Sequence, residues 1–403
     1  MDSPEHLYIH LPFCRSRCYY CAFPSVAVDK IPETDYRLAL LAEFRLRQKR
    51  WPGRRKRPLA TLYFGGGTPS LFSPSFFSEI INFFSKEPGF TPQPEITLEA
   101  NPADIEREKV SGYKAAGINR ISLGAQTFNA AGLQLLGRRH DAAAISQAVS
   151  IIRQAEIANL SLDLIYAWPG QKVSDLISDL QKLDFLAPEH LSAYTLSLEP
   201  GSALTKAVAA GEIISVGEDL QLEMMCLLED NLDKNGLYRY EVSNFSRSPD
   251  RQSQHNLAYW QLKDFIGLGA GACGGWRCRQ SAAHWAERYT NTPDPVFYMR
   301  QLSASPDSEI FSAADSSVSW FTGEVVDLAS SFSEALMMGL RLRAGIDLGL
   351  FASEYGAEKV AEVVSRAQLL HHEGLVELAD NQLRITAQGL HLTDAVTCRL
   401  LSF

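Results

Sequence analysis

Apolar residues in the first half of the chain follow two spacings in turn. Short runs rich in aliphatic and aromatic residues fall at 7–11, 61–64, 95–99, 120–123, 161–166 and 191–198. Between them, apolar positions recur every three to four residues over 34–49, 75–85, 105–116, 142–155, 174–185 and 217–235. Strand alternating with helix at this spacing predicts parallel strands joined by crossover helices. The expected class is α/β, with residues 1–240 forming six units of a full or partial barrel.

From about 325 the pattern changes. Helical spacing at 332–342 and 359–372 precedes two strand-like runs, 375–378 and 383–385, around an Asp380-Asn381 turn. A further helical stretch covers 389–401. This order predicts a small C-terminal winged-helix-like α+β domain over 325–403. Residues 241–324 lie between the two, and their polar part, 277–319, reads as an irregular linker broken by Pro and Ser.

Each predicted strand runs into a chemically loaded segment. These are Pro12-Phe13-Cys14, Gly65-Gly66-Gly67-Thr68-Pro69, Glu99-Ala100-Asn101-Pro102, the segment from Gly124 to Asn129, Trp168-Pro169-Gly170 after Asp163, and Glu199-Pro200-Gly201. In β/α barrels the working face is formed by the C-terminal ends of the strands. Six such signals at six strand ends predict one shared pocket.

Composition narrows the classes. A chain of 403 residues exceeds what one core usually holds, and a formal charge of −9 argues against nucleic acid as the main partner. Ten Asp/Glu against six Lys/Arg over 325–403 argue against a DNA-reading wing. The basic run at 45–57 reads as a solvated helix end and loop, with docking of an acidic partner as the alternative. No apolar run approaches the ~20 residues of a membrane helix, and the polar start is unlike a signal peptide, so no integral membrane segment and a cytoplasmic location are expected.

Seven cysteines are present, three of them within eight residues: Cys14-Arg-Ser-Arg-Cys18-Tyr-Tyr-Cys21. Three thiolates on one tight loop can hold three irons of a cubane cluster and leave the fourth iron open. Structural zinc, the main competitor, takes four ligands from paired knuckles, and no second C-x-x-C occurs. Gly66 and Gly67 let backbone approach a ligand, although three glycines also suit a tight turn. Glu99, Gln126, Arg138 and Asp163 are polar groups at strand ends that can bond a ligand, with barrel-rim salt bridges as the plainer alternative.

The cysteine motif after the first strand and the Gly65–Pro69 segment resemble the radical S-adenosylmethionine (SAM) superfamily. The resemblance implies a partial (β/α)6 TIM-type barrel of the radical SAM type. It also implies a [4Fe–4S] cluster on Cys14, Cys18 and Cys21, SAM on the open iron, and an electron donor that allows a 5′-deoxyadenosyl radical to form. The run from Tyr8 to Cys14, together with 65–70, 122–129, 136–140 and 163–171, is similar to the HemN/HemW group, almost end to end. That group holds the oxygen-independent coproporphyrinogen III oxidases and the HemW-type heme chaperones. It carries the SAM-pocket role to Tyr8, Tyr20, Gly66, Gly67, Thr68, Glu99, Gln126, Arg138 and Asp163.

Three features lean toward the chaperone branch. Phe23 follows Ala22 where the oxidase motif continues to a fourth Cys, and the cysteines come almost at once. His255-Asn256-x-x-Tyr259-Trp260 resembles a motif linked with heme in HemW-like proteins. His255 could ligate heme iron while Tyr259 and Trp260 stack on the porphyrin; equally, the histidine could buttress a loop and the aromatics fill the core. The resemblance then implies heme or a porphyrin as cargo and heme-accepting respiratory proteins as partners. The alternative is SAM-dependent oxidative decarboxylation of coproporphyrinogen III in porphyrin biosynthesis; heme breakdown has no specific support. Cys273 stands where the chaperones commonly have His, and it could ligate heme or act as a small buried hydrophobe. Cys226, Cys278 and Cys398 read as isolated structural residues, and Glu241 and Asn244 as candidates for the same cleft.

Overall fold

A computed structural model of the chain describes residues 2–49, 55–303 and 319–401. Strands β1 (His6–Leu11), β2 (Leu59–Gly66), β3 (Phe90–Ala100), β4 (Arg120–Gln126), β5 (Asn159–Tyr166) and β6 (His190–Thr195) lie side by side in chain order, each pair parallel. Helices α1 (Glu33–Lys49), α2 (Pro74–Lys86), α3 (Arg107–Ala116), α4 (Ala142–Gln154) and α5 (Val173–Leu186) form the crossovers. Helix α2 shows how locally such an element is set. Ser73 caps it by accepting from the Phe76 N–H, Pro74 opens its first turn, and Phe76, Phe77, Ile80, Ile81 and Phe84 form its buried face.

A parallel sheet buried on both faces usually reads as unbroken apolar runs. Here the strands alternate. Leu7, Leu62 and Ile96 share one row, and the next row is Tyr8, Tyr63, Thr97 and Arg120. Glu99 pairs with Ser122, Ser122 with Ser161, and Asp163 with Ser192. The aliphatic rows pack under the helices, and the polar rows face the barrel interior.

Beyond β6 the sheet continues through β8 (Asn244–Ser246), which is antiparallel, to β7 (Tyr238–Arg239). On the other side of β1 lies β9 (Phe265–Leu268), a seventh parallel strand, followed by antiparallel β10 (Cys273–Ser281), β11 (His284–Asn291) and β12 (Phe321–Val326). The order is β12-β11-β10-β9-β1-β2-β3-β4-β5-β6-β8-β7, an open partial barrel with an antiparallel extension.

That extension corrects the linker reading of 277–319. Strands β10 and β11 and a helix at Pro295–Ser303 occupy most of it; 304–318 fall outside the described residues. The polarity is that of strands with one solvated face: Trp276 and Cys278 are buried while Arg277 and Arg279 point away.

The basic run is also corrected in part. Arg47 is fully buried, not solvated; Arg50 and Arg54 lie outside the described residues. The Arg47 Nε donates to Glu43 Oε1 at 2.6 Å and Nη2 donates to Asn291 Oδ1 at 2.7 Å. Its guanidinium stacks on Tyr289, 3.2 Å from the ring centroid. Glu43 accepts further from the Gly269 N–H, Asn291 Nδ2 and the Tyr298 hydroxyl. This buried cluster ties α1 to the β9–β11 extension.

A second hydrophobic cluster holds the C-terminal region. It contains Leu328–Gly339, Leu348–Tyr355, Ala357–His372 and a hairpin of Val376–Ala379 with Gln382–Ile385, joined by Ile346–Asp347 as a third strand. Asp380 and Asn381 turn the hairpin with φ of 50° and 64°, the left-handed pair of a type I′ turn. The expected final helix is split into Ala387–Leu390 and Thr393–Leu401.

Removing one partner of a buried ion pair strands the other charge, at a cost of about 3–5 kcal/mol. Glu43→Ala should therefore shift the urea midpoint sharply downward. The paired change Glu43→Leu with Arg47→Met should restore most of the loss.

Candidate functional site

The C-terminal ends of β1–β6 open onto a cavity of about 1080 Å³. Cys14, Cys18 and Cys21 line it, as do Tyr20, Gly66, Gly67, Thr68, Glu99, Gln126, Arg138 and Asp163. The structure thus brings together every residue expected in the pocket except Tyr8. That side chain lies deeper, with its hydroxyl 2.9 Å from His10 Nδ1, and His10 Nε2 in turn is 2.8 Å from the Pro24 carbonyl.

The cysteine loop is held at both ends. Phe13–Cys14 pairs with Val26–Ala27, the Tyr19 N–H donates to the Leu136 carbonyl, and the Cys21 N–H donates back to the Cys18 carbonyl. All three thiols are free. Three thiols on one loop beside the cavity can hold three irons of a cubane cluster and leave its fourth iron open to a ligand, whereas structural zinc takes four protein ligands. Burial pushes the Cys14 and Cys21 thiols up, so a bound cation is needed to hold them as thiolates. Arg138 Nη1 lies 3.4 Å from Cys18 Sγ, Nη2 donates to the Gly124 carbonyl at 2.8 Å, and Nε is buried without a protein partner.

The glycine segment lies against this wall for steric reasons. Gly66 has φ of +113°, and a Cβ there would strike the His10 ring; at Gly67 it would meet the Leu11 and Phe13 carbonyls. The Gly66 N–H donates to Glu99 Oε2 at 3.1 Å, and the Tyr63 hydroxyl donates to Glu99 Oε1 at 2.9 Å. Burial raises the Glu99 carboxyl to about 7, with the nearby Asp163 charge adding to it against the bond from Tyr63. Burial likewise raises Asp163, opposed by bonds from Ser192, Ser122 and Ser161. Ser122 Oγ reaches both Asp163 oxygens, at 2.9 and 3.0 Å.

Tyr63 and the serine trio were missed in the sequence. Their signal was present: Tyr63, Ser122, Ser161 and Ser192 occupy inward positions of the period-2 alternation, Ser161 two residues before Asp163.

His255, Tyr259 and Trp260 are placed elsewhere. They lie on a short helix, Gln254–Trp260, at the N-terminal end of the barrel. The Glu95 carboxylate accepts from the Gln254 and His255 N–H groups, and Arg120 Nη1 donates to the Arg251 carbonyl. His255 is 1% exposed; its Nδ1 is 2.7 Å from Thr61 Oγ1 and its Nε2 is 2.9 Å from the Tyr259 hydroxyl. Burial lowers it to about 3, so the ring is neutral. It stacks on Tyr63 with centroids 5.0 Å apart. The motif closes the barrel floor and, through Tyr63, supports Glu99 from below.

Cys273 is exposed, with its Sγ 3.2 Å from Thr290 Oγ1, which corrects the buried-hydrophobe reading. Glu241 and Asn244 are buried beside the C-terminal region, where Glu241 bridges to Leu342; they do not line the cavity.

Comparison with known proteins agrees with this geometry. The Radical SAM superfamily profile matches residues 8–183, and the HemN C-terminal domain profile matches 329–392. The heme chaperone HemW of Lactococcus lactis is 31% identical over 396 residues, covering 98% of this chain and 94% of that protein. The mitochondrial radical S-adenosyl methionine domain-containing protein 1 of Mus musculus is 33% identical over 407 residues, covering 98% and 87%. Among solved structures, coproporphyrinogen III oxidase (HemN) from Escherichia coli superposes with a TM-score of 0.79 at 21% identity, covering 99% of this chain and 90% of that one.

A carboxyl whose folded pKa is raised favours folding while protonated. The Glu99 contribution is complete below its ordinary value of 4.5 and is lost as pH rises through about 7. Thermal stability of the cluster-free protein should fall between pH 5 and 8, and Glu99→Gln should flatten that profile.

Proposed function

The chain belongs to the radical SAM superfamily, in its HemN/HemW group, and from that premise we propose that it is a heme chaperone, binding heme and passing it to heme-accepting proteins. Use of a [4Fe–4S] cluster and SAM follows from the superfamily. Sequence similarity over nearly the whole length to proteins named heme chaperone HemW supports the finer reading.

The observation that carries it is the mouth of the cavity. Phe23, 66% exposed, lines the cavity, as do Arg15 and Arg17. A broad apolar ring beside guanidinium groups is the chemistry that a flat macrocycle with two propionates would meet. The cavity is also at the upper end of the ~300–1,000 Å³ common for small-molecule sites, with room for more than one ligand.

When bound on Cys14, Cys18 and Cys21, the cluster supplies an open iron for the amino and carboxylate groups of SAM and a reducing electron. The protein's own groups do the rest. Asp163, oriented by Ser122, and Glu99, oriented by Tyr63, accept from the ribose hydroxyls. Their negative charge also suits the sulfonium of SAM. Gln126 and the unpartnered edge of Arg138 bond the remainder of the ligand, and Tyr20, Gly66, Gly67 and Thr68 shape the wall. Tyr8 acts from behind, by fixing His10 under Gly66. Seven free cysteines suit a reducing compartment such as the cytoplasm, and no helix among the described residues is long and apolar enough to cross a membrane.

In this arrangement His255 could become an axial ligand only by leaving Thr61 and Tyr259, with the floor helix released. Tyr259 and Trp260 would then be freed to stack on the ring.

Asp163→Ala should weaken SAM binding by an order of magnitude or more in calorimetry while the iron and sulfide content stays at the wild-type level. Anaerobic heme titration of cluster-loaded protein should show stoichiometric binding in the Soret band. Retention of that binding in His255→Gln would place heme at the mouth, and its loss with iron intact would place it on the floor helix. Absence of heme binding in wild type, together with turnover of coproporphyrinogen III, would establish the decarboxylase instead.

A further inference from the structure

Cys278, read from the sequence as an isolated structural residue, is not isolated. It lies on β10, buried, and faces His284 and Glu287 at the start of β11. One ligating atom from each of the three lies within 4.8 Å of the other two. His284 Nε2 is 2.9 Å from Glu287 Oε1, and the Cys278 thiol donates to the His284 carbonyl at 3.5 Å. No other trio of His, Cys, Asp and Glu among the described residues is drawn together in this way.

The hairpin itself produces the convergence. Regular pairing runs from Cys273–Thr290 to Arg277–Ala286 and then resumes only at Ser281–His284. The extra residues on β10 form a bulge in which Arg279 takes φ of +47°. Bulges re-aim side chains. This one also turns Arg279 outward onto Glu354 of the C-terminal region, at 2.6 and 2.8 Å. The trio therefore sits at the joint between the sheet and the C-terminal region, and none of its members lines the cavity that holds the cysteine loop.

We propose that Cys278, His284 and Glu287 form a mononuclear site for a divalent transition metal of the zinc class, separate from the cluster. The donor set argues for the metal. One sulfur, one imidazole nitrogen and one carboxylate oxygen suit a borderline ion, while magnesium and calcium prefer oxygen alone. A thiolate and a carboxylate would neutralise a dication, and the thiol proton now directed at the His284 carbonyl would leave on binding. Three protein ligands leave a fourth position for water. All three come from one short hairpin, so little chain must be ordered to assemble the site. Binding would fasten the bulge and, with it, the Arg279–Glu354 link.

The test is elemental analysis of desalted, cluster-loaded full-length protein after exposure to zinc alone, with iron counted in the same sample. About one zinc per chain is expected beside a full iron complement. Cys278→Ser and His284→Gln should lose the zinc and keep the iron, and Glu287→Gln should weaken zinc at least ten-fold against a chromophoric chelator. Zinc-edge absorption should show one sulfur at about 2.3 Å and nitrogen or oxygen at about 2.0 Å. Absence of retained zinc in wild type would overturn the proposal. So would equal zinc in wild type, Cys278→Ser and His284→Gln, which would place the metal away from this hairpin. The retained iron separates either result from failure to fold and from failure of the chaperone reading.

Discussion

Parallel pairing of β1 through β6 in chain order is the constraint on which the rest of this structure depends. Helical crossovers return every strand to the same starting edge, so all six C-terminal ends reach one rim. Residues up to 185 positions apart, from Cys14 to Glu199, then share one cavity. Within the strands, register matters as much as direction. A slip of one residue in β5 would turn Asp163 outward and push Leu162 into the polar interior.

That interior is unusual for a parallel sheet because it must satisfy charges as well as pack. Tyr63 shows how. Its ring carries His255 beneath it, and its hydroxyl holds Glu99 above. The floor helix and the ligand pocket are thus connected through one side chain, and the histidine motif influences the pocket without lining it. Outside the barrel, Glu43 and Arg47 play the corresponding part for the antiparallel extension. Both are wholly buried, and each is bonded on several sides. Such a cluster is weak evidence for stability but strong evidence for a unique seating of α1, because any other seating would leave a charge unpaired.

The cavity combines two chemistries. Its inner wall of buried carboxylates and one guanidinium suits a small polar cation held close to the cysteine loop. Its mouth, with Phe23 and the arginines, suits a larger, flatter and partly anionic molecule.

Much of this was legible in the chain itself. Strand–helix alternation is local, and it led to six parallel units; the three-cysteine spacing and the motifs at the strand ends are local too, and they led to the cluster, the pocket and the family. Asp380-Asn381 determined its own turn, because left-handed residues there suit a hairpin. Tertiary structure decided what depends on partners distant in the chain. Arg47 looked solvated because nothing nearby reveals Asn291, 244 positions away. Strands β10 and β11, over 277–291, looked like linker because only the sheet shows which of their faces is covered. The motif at His255 is visible in the chain, whereas Thr61 and Tyr63, which hold its ring, come from a strand nearly two hundred positions away. Cys278 looked isolated because a bulge, not a spacing, brings it to His284 and Glu287. Periodicity and motif are properties of neighbours along the chain, whereas burial and pairing are properties of neighbours in space.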